Sequence, residues 1–172
     1  ASQTAMAVLY TSLINDKVNE FSYPAALAGL NFRIYKHAQG ISLRVGGYND
    51  KQQVLLDRLI EVIKDPEFDP MRFENIRRNM IRGLENSISK RPMSQVVDDL
   101  REALLYGEWG EAPLIDALES VSLADVEVYS AAFWDSASAE IMIYGNYPKT
   151  AVDGIAVSVR SLLGSSPVPE LP

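Results

Sequence analysis

Asn19-Glu20-Phe21-Ser22-Tyr23-Pro24-Ala25-Ala26-Leu27-Ala28-Gly29-Leu30 runs through Asn31–His37 into Gly40-Ile41-Ser42-Leu43-Arg44-Val45-Gly46-Gly47-Tyr48-Asn49-Asp50-Lys51-Gln52. Across this stretch the period of the chain changes from helix to strand. Val18 to Leu27 reads as a helical segment closed by Gly29 as a C-terminal cap, with Pro24 either kinking it or starting a new turn. In Asn31–His37, Phe32 and Ile34 alternate with Arg33 and Tyr35. In Ile41–Val45, Ile41, Leu43 and Val45 alternate with Ser42 and Arg44. Joined by Ala38-Gln39-Gly40, these runs predict a β-hairpin with one buried face. Gly47 lets the strand end turn sharply, and Asn49 or Asp50 is placed to cap the next helix.

Outward from the hairpin the pattern is helical. Upstream, Met6, Leu9, Tyr10, Leu13 and Ile14 keep the three- and four-residue spacing of one helical face. Downstream, Lys51 to Lys64 is apolar through Leu55, Leu56, Leu59, Ile60 and Ile63. Asp69-Pro70 opens a long helix, since Asp is a good N-cap and proline needs no partner in the first turn. Its expected buried face is Phe73, Ile76, Met80, Ile81, Leu84 and Ile88. Pro92 opens another long helix with Met93, Val96, Val97, Leu100 and Leu104 expected inward, ahead of Gly107 and Gly110. A short helix follows around Leu114–Leu118. Ser122 with Asp125 three residues on resembles a capping box for Leu123–Trp134. Glu140–Tyr144 reads as a third strand, and Lys149–Leu163 as a last helix with Ile155, Val159 and Leu162 aligned. The tail, Ser165 to Pro172, holds three prolines and reads as a linker after a domain spanning 1–164.

Three strands beside about seven helices give an α+β fold with a small antiparallel sheet. So thin a sheet leaves long edges unpaired. The expectation is that further strands of this sheet lie upstream of residue 1, and that an open edge can pair with another copy.

The chain has 172 residues, enough for one core. A net charge of −7 argues against general nucleic-acid binding, which needs a basic face. No apolar run reaches the ~18 residues of a membrane span. Cysteine is absent, which removes disulfides, thiolate zinc sites and cysteine nucleophiles and leaves cytoplasm and periplasm equally open.

The catalytic inventory is short. His37 is the one histidine, so neither His-Glu-x-x-His nor His-x-x-Glu-His can be written. Placed at a hairpin turn, it reads as an exposed turn residue. No Gly-x-Ser-x-Gly elbow, P-loop or dinucleotide fingerprint occurs, and Gly46-Gly47 is better explained by a strand end. Asp98 and Asp99 are adjacent, about 100° apart on a helix, and do not converge. Arg72, Arg77, Arg78, Arg82, Lys90 and Arg91 could bind an anion, but Glu74 and Glu85 make a solvated, balanced helix face the simpler account. Trp109 and Trp134 are expected in the core. Among these residues there is no catalytic, cofactor-binding or metal-binding set.

The two quoted segments also carry a resemblance. Asn19–Leu30 resembles the Asn-Glu-Tyr-x-Tyr-x-Ala-x-x-Ala-Gly-Leu segment of the third domain of pitrilysin and insulin-degrading-enzyme-like zinc metallopeptidases. Gly40–Gln52 is similar to that domain's strand ending in Gly-Tyr-Asn-Asp-Lys. The Phe-Asp-Pro-x-Arg-Phe helix start at 68–73, Ser-Leu-Ala-Asp at 122–125 and Tyr-Gly-Asn at 144–146 follow in order. The resemblance covers nearly everything up to the Pro-rich tail. It implies a LuxS/mitochondrial processing peptidase-like metallopeptidase fold that lacks its N-terminal strands. It implies a non-catalytic domain that helps enclose unfolded peptide substrates in a chamber, with zinc in the parent's N-terminal domain and the parent's other domains as partners. The alternative it leaves is an inactive interaction or assembly module of a peptidase-like complex.

Overall fold

The computed structural model describes residues 1–37, 40–87, 92–105 and 109–164. The hairpin link at Ala38 and Gln39, Ile88, Lys90, Arg91, Gly107 and the tail from Ser165 lie outside them. The chain divides into two contact units. One holds Ala1–Leu13, Lys36–Ile41 and Phe68–Tyr129. The other holds Ile14–Tyr35, Ser42–Glu67 and the remainder from Ser130.

Helix α1 (Ser2–Val18) buries Leu9, Tyr10, Leu13 and Ile14 as expected, leaves Met6 half-buried, and buries Ala5, Ala7 and Val18 besides. A 3₁₀ turn (Asn19–Phe21) leads into α2 (Ser22–Leu27). Pro24 stands in the first turn of α2, where no N–H is needed, so it starts a new helix and does not kink an old one. Gly29 closes the segment at φ 71°, with its N–H on the Ala26 carbonyl at 3.0 Å.

Strands β1 (Leu30–His37) and β2 (Gly40–Gly47) form the predicted hairpin, a two-stranded sheet with Leu30 and Ile34 buried. Helix α3 (Gln52–Lys64) buries Leu55, Leu56, Leu59, Ile60, Val62 and Ile63 and packs on α8 (Lys149–Arg160). Its cap differs from expectation. A 3₁₀ turn occupies Asn49–Lys51, Lys51 is the cap residue, and no side chain caps the helix. Instead Gln52 Nε2 donates to the Gly47 carbonyl at 2.7 Å, tying the helix start to the end of β2.

In the first unit, α4 (Pro70–Ser87) starts as predicted. Asp69 Oδ1 accepts the Met71 N–H at 2.7 Å and the Arg72 N–H at 3.4 Å. Phe73 is buried, while Ile76, Met80, Ile81 and Leu84 are half-buried. Helix α4 packs on α6 (Glu111–Ser120). The capping box is present before α7 (Leu123–Ser136): Asp125 N–H reaches Ser122 Oγ at 3.3 Å, and Ser122 N–H reaches Asp125 Oδ2 at 2.8 Å.

Three expectations are corrected. Helix α5 (Pro92–Leu104) forms, but Met93, Val96, Val97, Leu100 and Leu104 point to solvent. Trp109 is exposed and outside the core. Glu140–Tyr144 is not a strand. It joins no sheet among the described residues, and Met142 and Tyr144 are almost fully exposed. A β-prone segment needs a neighbouring edge before it is a strand. The fold is α+β, helix-dominated, with a two-stranded antiparallel sheet.

Candidate functional site

The segment quoted first forms one built feature, an elbow within the second unit. Gly29 and Gly47 meet backbone to backbone. Gly47 has φ 120°, and a Cβ there would lie 2.1 Å from the Gly29 carbonyl oxygen and 2.8 Å from Leu30 Cα. A Cβ on Gly29 would lie 2.5 Å from Tyr48 Cδ2. Gly47 therefore demands glycine for space as well as for dihedral angle, and Gly29 for its φ of 71°. Gly46 lies beside the Asn31 side chain, whose Oδ1 would be 3.1 Å from an added Cβ.

Behind the elbow sits a polar network. Gln52 donates to Gly47 and accepts a hydrogen bond from the Tyr147 hydroxyl. Gln53 Nε2 donates to Asp57 Oδ1 and to Ser158 Oγ, both at 2.8 Å, and the Ser158 hydroxyl donates to Asp57 Oδ1 at 2.6 Å. The network joins α3 to α8 and fixes the helix that follows the elbow. In front, Tyr23, Leu27 and Tyr48 are exposed. Asn19 Oδ1 accepts the Ser22 hydroxyl, and the Arg58 guanidinium lies 5.1 Å from the Phe21 ring centre. The geometry holds a turn and displays aromatic surface. It gathers no nucleophile, base or metal-ligand set.

The other candidates remain dispersed. His37 is the exposed last residue of β1. Arg77 spans Glu74 at 2.8 Å and the carbonyls of Glu119 and Val121, both at 3.2 Å. It thus closes the C-terminal end of α6, a structural use of its fork of donors. Arg78 and Arg82 are exposed; Lys90 and Arg91 lie outside the described residues. Asp99 is exposed and Asp98 half-buried. Trp134 is half-buried, edge-to-face with Phe133 at 5.0 Å. The hydroxyl and amide of Ser122 hold the Asp125 carboxyl below the usual range. The network of Gln53, Asp57, Ser158, Gln52 and Tyr147 was not foreseen. Its partners lie about a hundred residues apart, and no local spacing signals them.

The family described as the middle or third domain of peptidase M16 matches residues 1–117. This chain belongs to that family. It is 34% identical to human insulin-degrading enzyme over 92% of its own length and 16% of the relative's. It is 29% identical over 93% of its length to a Schizosaccharomyces pombe protein named as a zinc protease, again 16% of that protein. The crystal structure of pitrilysin shares the fold at TM-score 0.88 and 17% identity, covering 99% of this chain and 18% of that one. The chain thus spans about a sixth of the relatives it matches.

The family implies zinc, and the donors here do not fit it. A tetrahedral site built without thiolates needs two or three imidazoles with a carboxylate. This chain has one imidazole and no thiol, and no three potential ligands gather among the described residues.

Proposed function

We propose that this chain is a non-catalytic domain of a zinc metalloendopeptidase that helps enclose a peptide substrate, with the zinc carried by an N-terminal domain of the parent. The observation that carries this reading is the pairing of a middle-domain match with a donor set that cannot hold the metal. Residues 1–164 are then the domain and 165–172 its connection. No side chain of this chain acts in catalysis. Its partners are the parent's other domains and unfolded peptides, which meet a rigid elbow and exposed aromatic rings.

The alternative, an inactive assembly module, draws on the exposed apolar surfaces and on the open hairpin edges, which would let copies associate. Size-exclusion chromatography eluting only monomer counts against that self-association.

The test compares the 172-residue chain with its full-length parent on an unfolded peptide, with zinc and then with a chelator. Chelator-sensitive cleavage by the parent and none by the chain is expected. Chelator-sensitive cleavage by the chain alone would overturn the reading. A parent that lacks a His-x-x-Glu-His motif and does not cleave would favour the assembly module.

A further inference from the structure

The outer face of the hairpin sets two arginines opposite one another. Strands β1 and β2 are each eight residues long. An added Cβ on Gly47 would meet Leu30 Cα, and one on Gly46 would meet the Asn31 side chain, so Leu30 stands opposite Gly47 and Asn31 opposite Gly46. Continued along the strands, that register pairs Ile34 with Leu43 on the inner face and Arg33 with Arg44 on the outer one. Both arginines are exposed, whereas Ile34 is buried. Tyr35 and Ser42 form the next outer pair. Like charges placed directly opposite in an antiparallel ladder repel, and the fold gains nothing from the arrangement. The chain has 23 acidic residues to 16 basic ones, yet among the described residues no carboxylate pairs with either arginine. Arg33 has only the Tyr35 ring, whose centre lies 5.1 Å from the guanidinium carbon, and Arg44 has no polar partner there. Elsewhere the arginines are used differently: Arg58 meets Glu61 and Arg77 meets Glu74, each at 2.8 Å. The three outer pairs thus hold two guanidinium forks, an amide and two hydroxyls, with no acid among them.

We infer that the Arg33–Arg44 pair is a docking point for the acidic side chains of a peptide, with a preference for two acids separated by one residue. This rests on the reading of the chain as a domain that encloses peptide, and it adds a class of peptide to that reading. Charge complementarity carries it. Each guanidinium presents a planar fork that matches a carboxylate through two parallel hydrogen bonds. Residues two apart in an extended peptide point the same way, about 6.6 Å from one another. The two arginine stems start about 5 Å apart, so one carboxylate can settle on each fork. Stacking on Tyr35 narrows the rotamers open to Arg33 and leaves less entropy to be lost on binding. The same ring argues for a peptide over a free inorganic anion. Glutamate methylenes can lie on it, whereas a small ion would approach a chain of net charge −7 for its charge contacts alone.

The test is fluorescence anisotropy with the full-length parent and a short dye-labelled peptide alternating glutamate with serine, set against its glutamine analogue. Titrations are run zinc-loaded and again with chelator, so that a probe that is cut can still be read whole. The glutamate peptide is expected to bind the more tightly. That preference should fall about two- to fivefold in Arg33→Gln and in Arg44→Gln, and further in the double variant. Arg82→Gln removes the same charge from an exposed position on α4 and should leave the preference unchanged. Neither hairpin substitution should lower Tm, since each removes a repulsion between like charges. A preference that survives the double variant overturns the inference, and so does an equal loss in Arg82→Gln, which marks a general effect of charge. A fall in Tm in both single variants assigns the arginines to stability and overturns it too. Inorganic phosphate that displaces the probe at the peptide's own concentration assigns a free-anion site, with the same result. Binding needs no cleavage. A parent with the arginine-dependent preference but no chelator-sensitive cleavage loses the peptidase reading alone, and one that cleaves while its variants bind as wild type loses this inference alone.

Discussion

Helices α3 and α5 are both thirteen residues long, and both carry an apolar stripe at helical spacing. Read as sequence they are equivalent. In the fold, the α3 stripe is buried and the α5 stripe faces solvent. The difference lies in what each helix meets. The apolar face of α3 is enclosed while Gln53 and Asp57 bond to Ser158 across to α8. On α5 only Asp98 is half-buried, and the rest of its described side chains, including Glu102 beside Gly110 at the start of α6, are exposed. Periodicity reports that a helix has an apolar face. It does not report where the cover for that face comes from.

The sharpest way to break this contrast is truncation at matched positions. Leu59 is 0% exposed, so Leu59→Ala should cost about 2–5 kcal/mol in urea unfolding. Leu100→Ala in the same chain should change stability by only about 0.5 kcal/mol or less. Equal losses would mean that α5 is buried within the chain after all.

A second comparison concerns the lead-in to α3. Gly47→Ala forces a Cβ against the Gly29 carbonyl at a left-handed φ, and should cost at least about 1–3 kcal/mol. Gly83→Ala in α4, where nothing lies within 4 Å of an added Cβ, should instead stabilise by about 0.5–1 kcal/mol. Thermal melts of the two variants moving in the same direction would refute the assignment of a tight elbow before α3.

The smallest effect concerns the capped start of α7. Ser122→Ala should cost about 1 kcal/mol at neutral pH. Asp125 has a depressed folded pKa, so its stabilisation is complete above the unfolded value near ~3.9 and is lost as pH falls through the lower folded value. The gap between wild type and Ser122→Ala in a pH series of melts should therefore narrow below about pH 4. A gap constant down to strong acid would show that Asp125 takes no part in the cap.

Much of the fold was legible because its signals are local. Asp69 before Pro70, Ser122 before Asp125, and Gly29 after Leu27 act through hydrogen bonds spanning a few residues, and each formed as read. The reading failed where the deciding partner is distant. Glu140–Tyr144 has a strand's composition but pairs with no edge among the described residues. Asn49 and Asp50 look like caps, yet the 3₁₀ turn moves the helix start to Lys51 and Gln52. The candidate site divides in the same way. Gly29 and Gly47 could be picked out from their place in the turn, whereas Tyr147 and Ser158 reach α3 from about a hundred residues away.

By itself, the sequence determined most of the helices, the caps before α4 and α7, the hairpin, the family and the lack of a zinc donor set. These follow from near-neighbour geometry and from composition. Only the tertiary structure decided that Gly29 and Gly47 touch, that Gln53 and Asp57 lock onto Ser158, and that the apolar stripe of α5 is left exposed. Those outcomes depend on which surfaces compete for one another in space, and a helix with one apolar face is compatible with either winner until its neighbours are in place.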